Sequence, residues 1–255
     1  STICSNSTAT LTGTIANAST GTWQIVSGGG SLSAPSCSGT GCTTVYTPAS
    51  SGIKVVRLIT NDPDAAGPCE ADTAIFTINV NPTPTVTGAT GTNPTTCGGS
   101  DGSIILTGVT PMNSTFLVNY TKNGSNVSTT LTASNDTIII SGLTAGTYTS
   151  YIVTKDNCPS NTLNTIVTLV DPAKPSGTIA GPSAACNGVV TTAYSIIGLT
   201  NCNACTYSWS SLGGTANTAN ASTSTFIFNT TGTQTVQTII TNSALCSTTL
   251  TKSVD

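Results

Sequence analysis

The sequence predicts an all-β protein of three tandem antiparallel β-sandwiches, disulfide-stapled. Three observations carry this. β-Branched and aromatic residues fall in short runs about ten residues apart, bounded by Gly, Asn, Asp and Pro. No stretch sustains a helical period. Six of the ten cysteines recur at one long spacing in three successive parts of the chain.

Two proline-bearing stretches, Asn81-Pro82-Thr83-Pro84 and Asp171-Pro172-Ala173-Lys174-Pro175, hold the backbone extended and end strands. They divide the chain into residues 1–81, 82–172 and 173–255. In the first segment strands are expected over 9–16, 21–26, 43–47, 54–60 and 73–80. In the second they are expected over 84–88, 103–109, 115–122, 127–132, 136–141, 146–154 and 165–170. In the third they are expected over 177–181, 191–197, 205–210, 223–229, 233–241 and 247–254. Asn123-Gly124 is the strongest hairpin signal, because a type I′ turn needs positive φ at both central residues. A large aromatic marks a central strand of each segment. Trp23, Phe116 and Trp209 follow Cys4, Cys97 and Cys186 by 19, 19 and 23 residues. Such a ring fills a small sandwich.

The cysteines repeat the division. Cys4 and Cys69, Cys97 and Cys158, and Cys186 and Cys246 are 65, 61 and 60 residues apart. In each segment the first precedes the core strands and the second lies just before the last strand. Pairing within segments is therefore expected, with Cys37–Cys42 and Cys202–Cys205 as local pairs. Five bridges would then use all ten sulfurs. Spacing does not prove connectivity, and a pattern crossing between segments would sink the three-domain reading. A bridge closing a loop of about 60 residues is worth about 4 kcal/mol in the chain-entropy view. That is comparable with a small domain's net stability. An even cysteine count in a polar chain points to an oxidising compartment.

Composition excludes several functions. Only 15 of 255 residues are charged, Glu70 and Arg57 are single occurrences, and His is absent. No Ser-His-Asp triad, Cys-His pair or His-ligated metal can be built. Eight Asp and one Glu are a thin supply for a two-carboxylate glycosidase. Six basic residues cannot neutralise a nucleic-acid backbone. No apolar run approaches the roughly 20 residues of a membrane helix. The expectation is a non-catalytic protein with no nucleic-acid partner and no membrane span. Ser, Thr and Asn fill roughly two-fifths of the chain, and the apolar fraction of 37% is enough to build cores. Ser1 is not a start methionine and no signal-peptide pattern follows it, so the chain reads as a mature product or a piece of something longer.

Four residue groups are candidates for chemistry. Cys202-Asn203-Ala204-Cys205 has the redox or half-zinc spacing, but no helix or further ligand accompanies it, so a staple is favoured. Asp62, Asp64 and Asp72 are the densest acidic cluster. Calcium would accept their oxygens, but Asn, Asp and Pro are turn formers, and the turn is favoured. No other cofactor is suggested. Trp23, Trp209 and Tyr207 could stack on a sugar, although a core role explains the tryptophans better. Asn-x-Ser/Thr triplets at Asn6, Asn113, Asn119, Asn135 and Asn229 follow from composition.

Gly21-Thr22-Trp23, Val45-Tyr46-Thr47-Pro48 and Leu58-Ile59-Thr60-Asn61-Asp62-Pro63 resemble PKD-like and Ig-like repeats of large Bacteroidota surface proteins. The middle segment is similar to SprB-type gliding-adhesin repeats. The residues are Cys97-Gly98-Gly99-Ser100-Asp101-Gly102-Ser103-Ile104, Gly142-Leu143-Thr144-Ala145-Gly146-Thr147-Tyr148 and Val153-Thr154-Lys155-Asp156-Asn157-Cys158. The third segment, with Gly181-Pro182-Ser183, Cys186, Tyr207-Ser208-Trp209-Ser210 and Gly232-Thr233, again resembles PKD-like domains, without the acidic residues of the best-known ones. Asp72-Thr73-Ala74 and Asp136-Thr137-Ile138 resemble the Bacteroidota O-glycosylation motif, making Thr73 and Thr137 candidate sites.

The resemblance implies export, often by the type IX system, to an extracellular, cell-surface location. It implies a structural role in a filament or adhesin. The expected partners are copies of the chain or neighbouring repeats, with surface glycans as a further class. The rival expectation is a set of accessory or carbohydrate-binding modules on a secreted polysaccharide-degrading enzyme.

Overall fold

The computed structural model describes residues 1–65 and 67–255. Among them there is no helix, and every regular element is a β-strand. The chain divides into two compact units. The first comprises Ser1–Thr90, Ile105–Ile140 and Tyr148–Val167, and the second Gly91–Ile104, Ser141–Thr147 and Thr168–Asp255.

The first unit opens with β1 (Thr2–Cys4), β2 (Ala9–Thr14), β3 (Thr20–Ser27), β4 (Ser31–Leu32), β5 (Ser36–Ser38), β6 (Gly41–Thr47), β7 (Gly52–Thr60) and β8 (Thr73–Asn81). One sheet runs β1-β8-β7-β3-β5 and the other β2-β6-β4. Alternation does the folding. Cys42, Thr44 and Tyr46 of β6, Val56 and Leu58 of β7, and Ile78 and Val80 of β8 are buried, while their neighbours are less so. All of these but Thr44 join Leu11, Ile15 and Trp23 in one core. Each such aliphatic side chain contributes about 1.5–3 kcal/mol on burial. Phe76 packs its ring 5.0 Å from that of Trp23. Gly30 is required where it stands: at φ 124 a Cβ would lie 2.6 Å from the Thr47 carbonyl oxygen and 2.7 Å from the Tyr46 ring. β1 runs parallel to β8, which departs from the antiparallel expectation.

Eight strands follow: β9 (Gly88–Thr92), β10 (Gly102–Thr107), β11 (Thr115–Lys122), β12 (Ser125–Thr132), β13 (Ile138–Leu143), β14 (Gly146–Lys155), β15 (Cys158–Pro159) and β16 (Val167–Leu169). Their sheets run β13-β10-β9 and β12-β11-β14-β15, with β16 on β14. Lys122 faces Ser125 across the expected hairpin, with φ 50 at Asn123 and 81 at Gly124. Phe116, Val118, Tyr148, Tyr151 and Val153 are buried in this part of the first unit. The 84–88 strand is not formed. Thr85 makes only an isolated bridge with Thr110, and the strand begins at Gly88, beyond the prolines.

The second unit ends the chain with β17 (Ser176–Ala180), β18 (Ser195–Thr200), β19 (Thr206–Leu212), β20 (Gly214–Ala216), β21 (Phe226–Phe228), β22 (Gln234–Thr241) and β23 (Ser247–Val254). Its sheets run β17-β18, β19-β22-β23 and β20-β21. Trp209, Phe226, Tyr194, Phe228, Val236 and Val254 make the core. Phe226 is its centre, 5.5 Å from the Tyr194 ring, 6.3 Å from Trp209 and 6.1 Å from Phe228.

The long disulfides correct the sequence expectation. Cys4 is bonded to Cys158 and Cys97 to Cys246, each within one compact unit. Cys69 and Cys186 are exposed thiols. The expected Cys4–Cys69, Cys97–Cys158 and Cys186–Cys246 are not formed. Strand length is the reason. Cys4 is level with Asn81, the last residue of β8. Cys69 lies ahead of Thr73, the first residue of that strand. Eight residue steps are about 26 Å, and the four residues from 69 to 73 reach back about 14 Å at most. A disulfide needs Cα atoms within about 7 Å. The third segment repeats the geometry. Cys246 immediately precedes β23, whereas the Ala185 N–H bonds the Asp255 carbonyl just beyond its other end. The two long bridges thus cross the segment boundaries at residues 81 and 172, which counts against three separately folded domains, and residues 82–172 are divided between the two compact units. The structure also joins Cys37 to Cys42 and Cys202 to Cys205.

Candidate functional site

Both boundaries between segments carry a network of hydrogen bonds. In the first unit, Cys4–Cys158 is flanked by a hydrogen-bonded linker. Ser5 N–H donates to the Asn81 carbonyl at 2.8 Å, and Thr83 N–H donates to Ser5 Oγ at 3.0 Å. Thr83 Oγ1 donates to Asn6 Oδ1 at 2.9 Å, and Asn81 Nδ2 to the Asp156 carbonyl at 3.2 Å. Asp156 and Asn157 take positive φ, 49 and 63, to turn the chain into Cys158. Asn and Asp tolerate that conformation better than most residues.

The second boundary, within the second unit, is organised by Asn242. Its side chain is nearly buried and fully used. Nδ2 donates to the carbonyls of Ala173 and Asn201, both at 3.0 Å. Oδ1 accepts from Ala244 N–H at 3.1 Å and Cys246 N–H at 3.0 Å. Beside it, Cys97 N–H donates to the Ala244 carbonyl at 2.9 Å and Gly98 N–H to Asp171 Oδ1 at 3.2 Å. One amide thus ties the linker to the loop that presents Cys246. Sequence reasoning missed it, since an Asn in a Thr-Asn-Ser run carries no signal of its own.

The acidic cluster orders its loop. Asp62 Oδ1 accepts from Asp64 N–H and Ala65 N–H. Asp64 accepts from Gly67 N–H at 3.1 Å and Cys69 N–H at 3.3 Å, and Asp72 accepts from Thr73 N–H at 2.7 Å. Desolvation would raise the Asp64 pKa, but the Cys69 and Gly67 N–H groups outweigh it and hold the carboxyl below its ordinary value. Among the described residues no group of three or more Asp, Glu, Cys or His is placed to hold a metal ion.

The aromatics are not presented to a sugar. Trp23 and Trp209 are 2% and 3% exposed, and the Trp209 indole N–H donates to the Ala221 carbonyl. Tyr207 shares its strand face but is half-buried. Thr73 is exposed at the start of β8. Thr137 is half-buried, and its Oγ1 donates to the Ser134 carbonyl at 2.9 Å.

Lys54 was not singled out in the sequence, although its alternation with Val56 and Leu58 places it on the core face of β7. It is 2% exposed. Its ammonium donates to the Gly28 carbonyl, Ser50 Oγ and the Ser51 carbonyl at 2.8, 2.9 and 3.0 Å. All three N–H donors are used, and two loops are tied to the core.

No protein-family model matches the sequence, and no curated protein does. Among solved structures, the chain is similar to a 1.5-MDa bacterial ice-binding adhesin at 16% identity and a TM-score of 0.36, covering 98% of this chain and 90% of that one. It is similar to fibronectin(III)-like modules of Clostridium thermocellum CbhA at 13% identity and a TM-score of 0.29, covering 68% and 94%. It is similar to murine CEACAM1b at 14% identity and a TM-score of 0.33, covering 65% and 95%.

Proposed function

We propose that the chain is a non-catalytic structural segment of an extracellular bacterial surface filament or adhesin. Its sandwiches, residues 1–81, 82–172 and 173–255, are fastened to one another in series. The observation that carries this reading is the crossing of both segment boundaries by a disulfide. An independently folding binding module gains nothing from being bonded to its neighbour. A load-bearing chain does, because a boundary held by a covalent bond and hydrogen bonds resists bending and extension. Disulfides of this kind belong to an oxidising, extracellular setting.

A second feature supports self-association. Strand β12 is an eight-residue sheet edge built of Ser, Asn, Val, Thr and Leu, with no charge and no proline. Edges lacking Lys or Pro are open to pairing with another chain. The buried tryptophans weigh against a carbohydrate-binding role through those rings. The SprB-type and PKD-like resemblance adds export by a type IX route in Bacteroidota, and exposed Thr73 is the better placed of the two O-glycosylation candidates. Electron microscopy of native material is the test. Fibres or a surface layer are expected, and isolated monomers on intact cells would overturn the reading.

A further inference from the structure

The two bridges obey one rule. In both, the leading cysteine of a segment, at or just beyond the end of its first strand, is bonded to the trailing cysteine of the next, ahead of its last strand. Cys4 pairs with Cys158 in this way, and Cys97 with Cys246. Applied once more, the rule leaves one trailing cysteine, Cys69, and one leading cysteine, Cys186. These are the two exposed thiols.

Both stand in the geometry of their bonded counterparts. The Cys4 carbonyl accepts from Ser7 N–H three residues on, and the Cys186 carbonyl accepts from Val189 N–H, also three residues on. Cys4 adjoins the end of the last strand through Ser5 N–H on the Asn81 carbonyl. Cys186 adjoins it through Ala185 N–H on the Asp255 carbonyl. Cys69 lies between β7 and β8, as Cys246 lies between β22 and β23. Its backbone N–H is held by Asp64.

We infer that Cys69 and Cys186 are complementary half-bridges: Cys186 bonds a trailing cysteine placed as Cys69 is, and for the 255-residue chain by itself that partner is Cys69 of a second copy, continuing the series head to tail. This rests on the proposed function and names its covalent contact. Such a contact is heterologous, and it builds an open filament where the rotation between copies does not close a ring. The chemistry is thiol–disulfide exchange with a small-molecule disulfide such as oxidised glutathione. One thiolate attacks the disulfide and expels a thiol. The other displaces the second thiol from the mixed disulfide. Two protein thiols and one disulfide give one protein disulfide and two small thiols.

The test uses the full chain and the variants Cys69→Ser and Cys186→Ser, each oxidised with glutathione disulfide and run without reductant. The parent should give a ladder of oligomers joined by Cys69–Cys186 peptides. Each variant alone should stay monomeric, and their mixture should double in mass and stop there. A parent that stays monomeric, or variants that dimerise alone through like cysteines, would overturn the inference. If Cys4–Cys158 and Cys97–Cys246 are still found in that material, the proposed function survives. If they are replaced by pairs within segments, both fall.

Discussion

Replacing Asn242 probes the second boundary without touching a cysteine. Asn242→Ala removes four hydrogen bonds of 3.0–3.1 Å from a side chain 8% exposed. Each bond is worth about 0.5–1.5 kcal/mol net, and water can reach some of the groups left behind. The expected loss is about 3 kcal/mol. The second unit has about 110 residues, and unfolding entropy is about 2.1 cal/mol/K per residue. The loss therefore corresponds to a fall of about 13 °C in that unit's Tm, read by calorimetry. Asn242→Asp separates the two halves of the network. It keeps the acceptor but sets a carboxylate against the Ala173 and Asn201 carbonyls. That environment raises the carboxyl pKa above its unfolded value, so the penalty grows as pH rises through that range and eases as pH falls. An Asn242→Ala protein melting within about 3 °C of the parent, or an Asp variant as stable as the parent at neutral pH, would refute the role given to this amide.

Three further outcomes follow from the packing. Lys54→Ala should cost about 3 kcal/mol in urea unfolding, because it removes both the buried stem and three charge-assisted bonds; a change within error would contradict them. The Tyr151 hydroxyl is buried without a hydrogen-bond partner among the described residues, so Tyr151→Phe should hold or gain stability by about 1 kcal/mol at neutral pH. Burial, then the neighbouring Tyr148 and Tyr120, push the Tyr151 pKa up to about 12, above its ordinary 10. Stability from this group is complete below pH 10 and lost as pH rises from about 10 to 12, so the alkaline limb of a Tm–pH curve should be shallower in Tyr151→Phe than in the parent.

Strands were legible where the side-chain pattern is local. The 115–122 and 247–254 strands begin and end where expected, and Asn123-Gly124 makes its hairpin because positive φ is written into those two residues. The short β1, β4, β5, β15 and β20 were missed, since two or three residues carry no period. Trp23 and Trp209 were legible as core rings. The disulfide partners were not. Equal spacing suggested pairs within segments that are not formed, because spacing along the chain is silent on which end of a strand each cysteine occupies. The last strand of a segment holds its two cysteines at opposite ends, so the long bonds go to the neighbour. Asn242 was invisible for a related reason, as its partners at residues 173 and 201 are far away in sequence.

Non-reducing proteolytic mapping by mass spectrometry, with free thiols blocked before digestion, tests the serial fastening of the segments most directly. The expected result is peptides joining Cys4 to Cys158 and Cys97 to Cys246, with blocking label on Cys69 and Cys186 of the monomer. Peptides joining Cys4 to Cys69, Cys97 to Cys158 and Cys186 to Cys246 would contradict it.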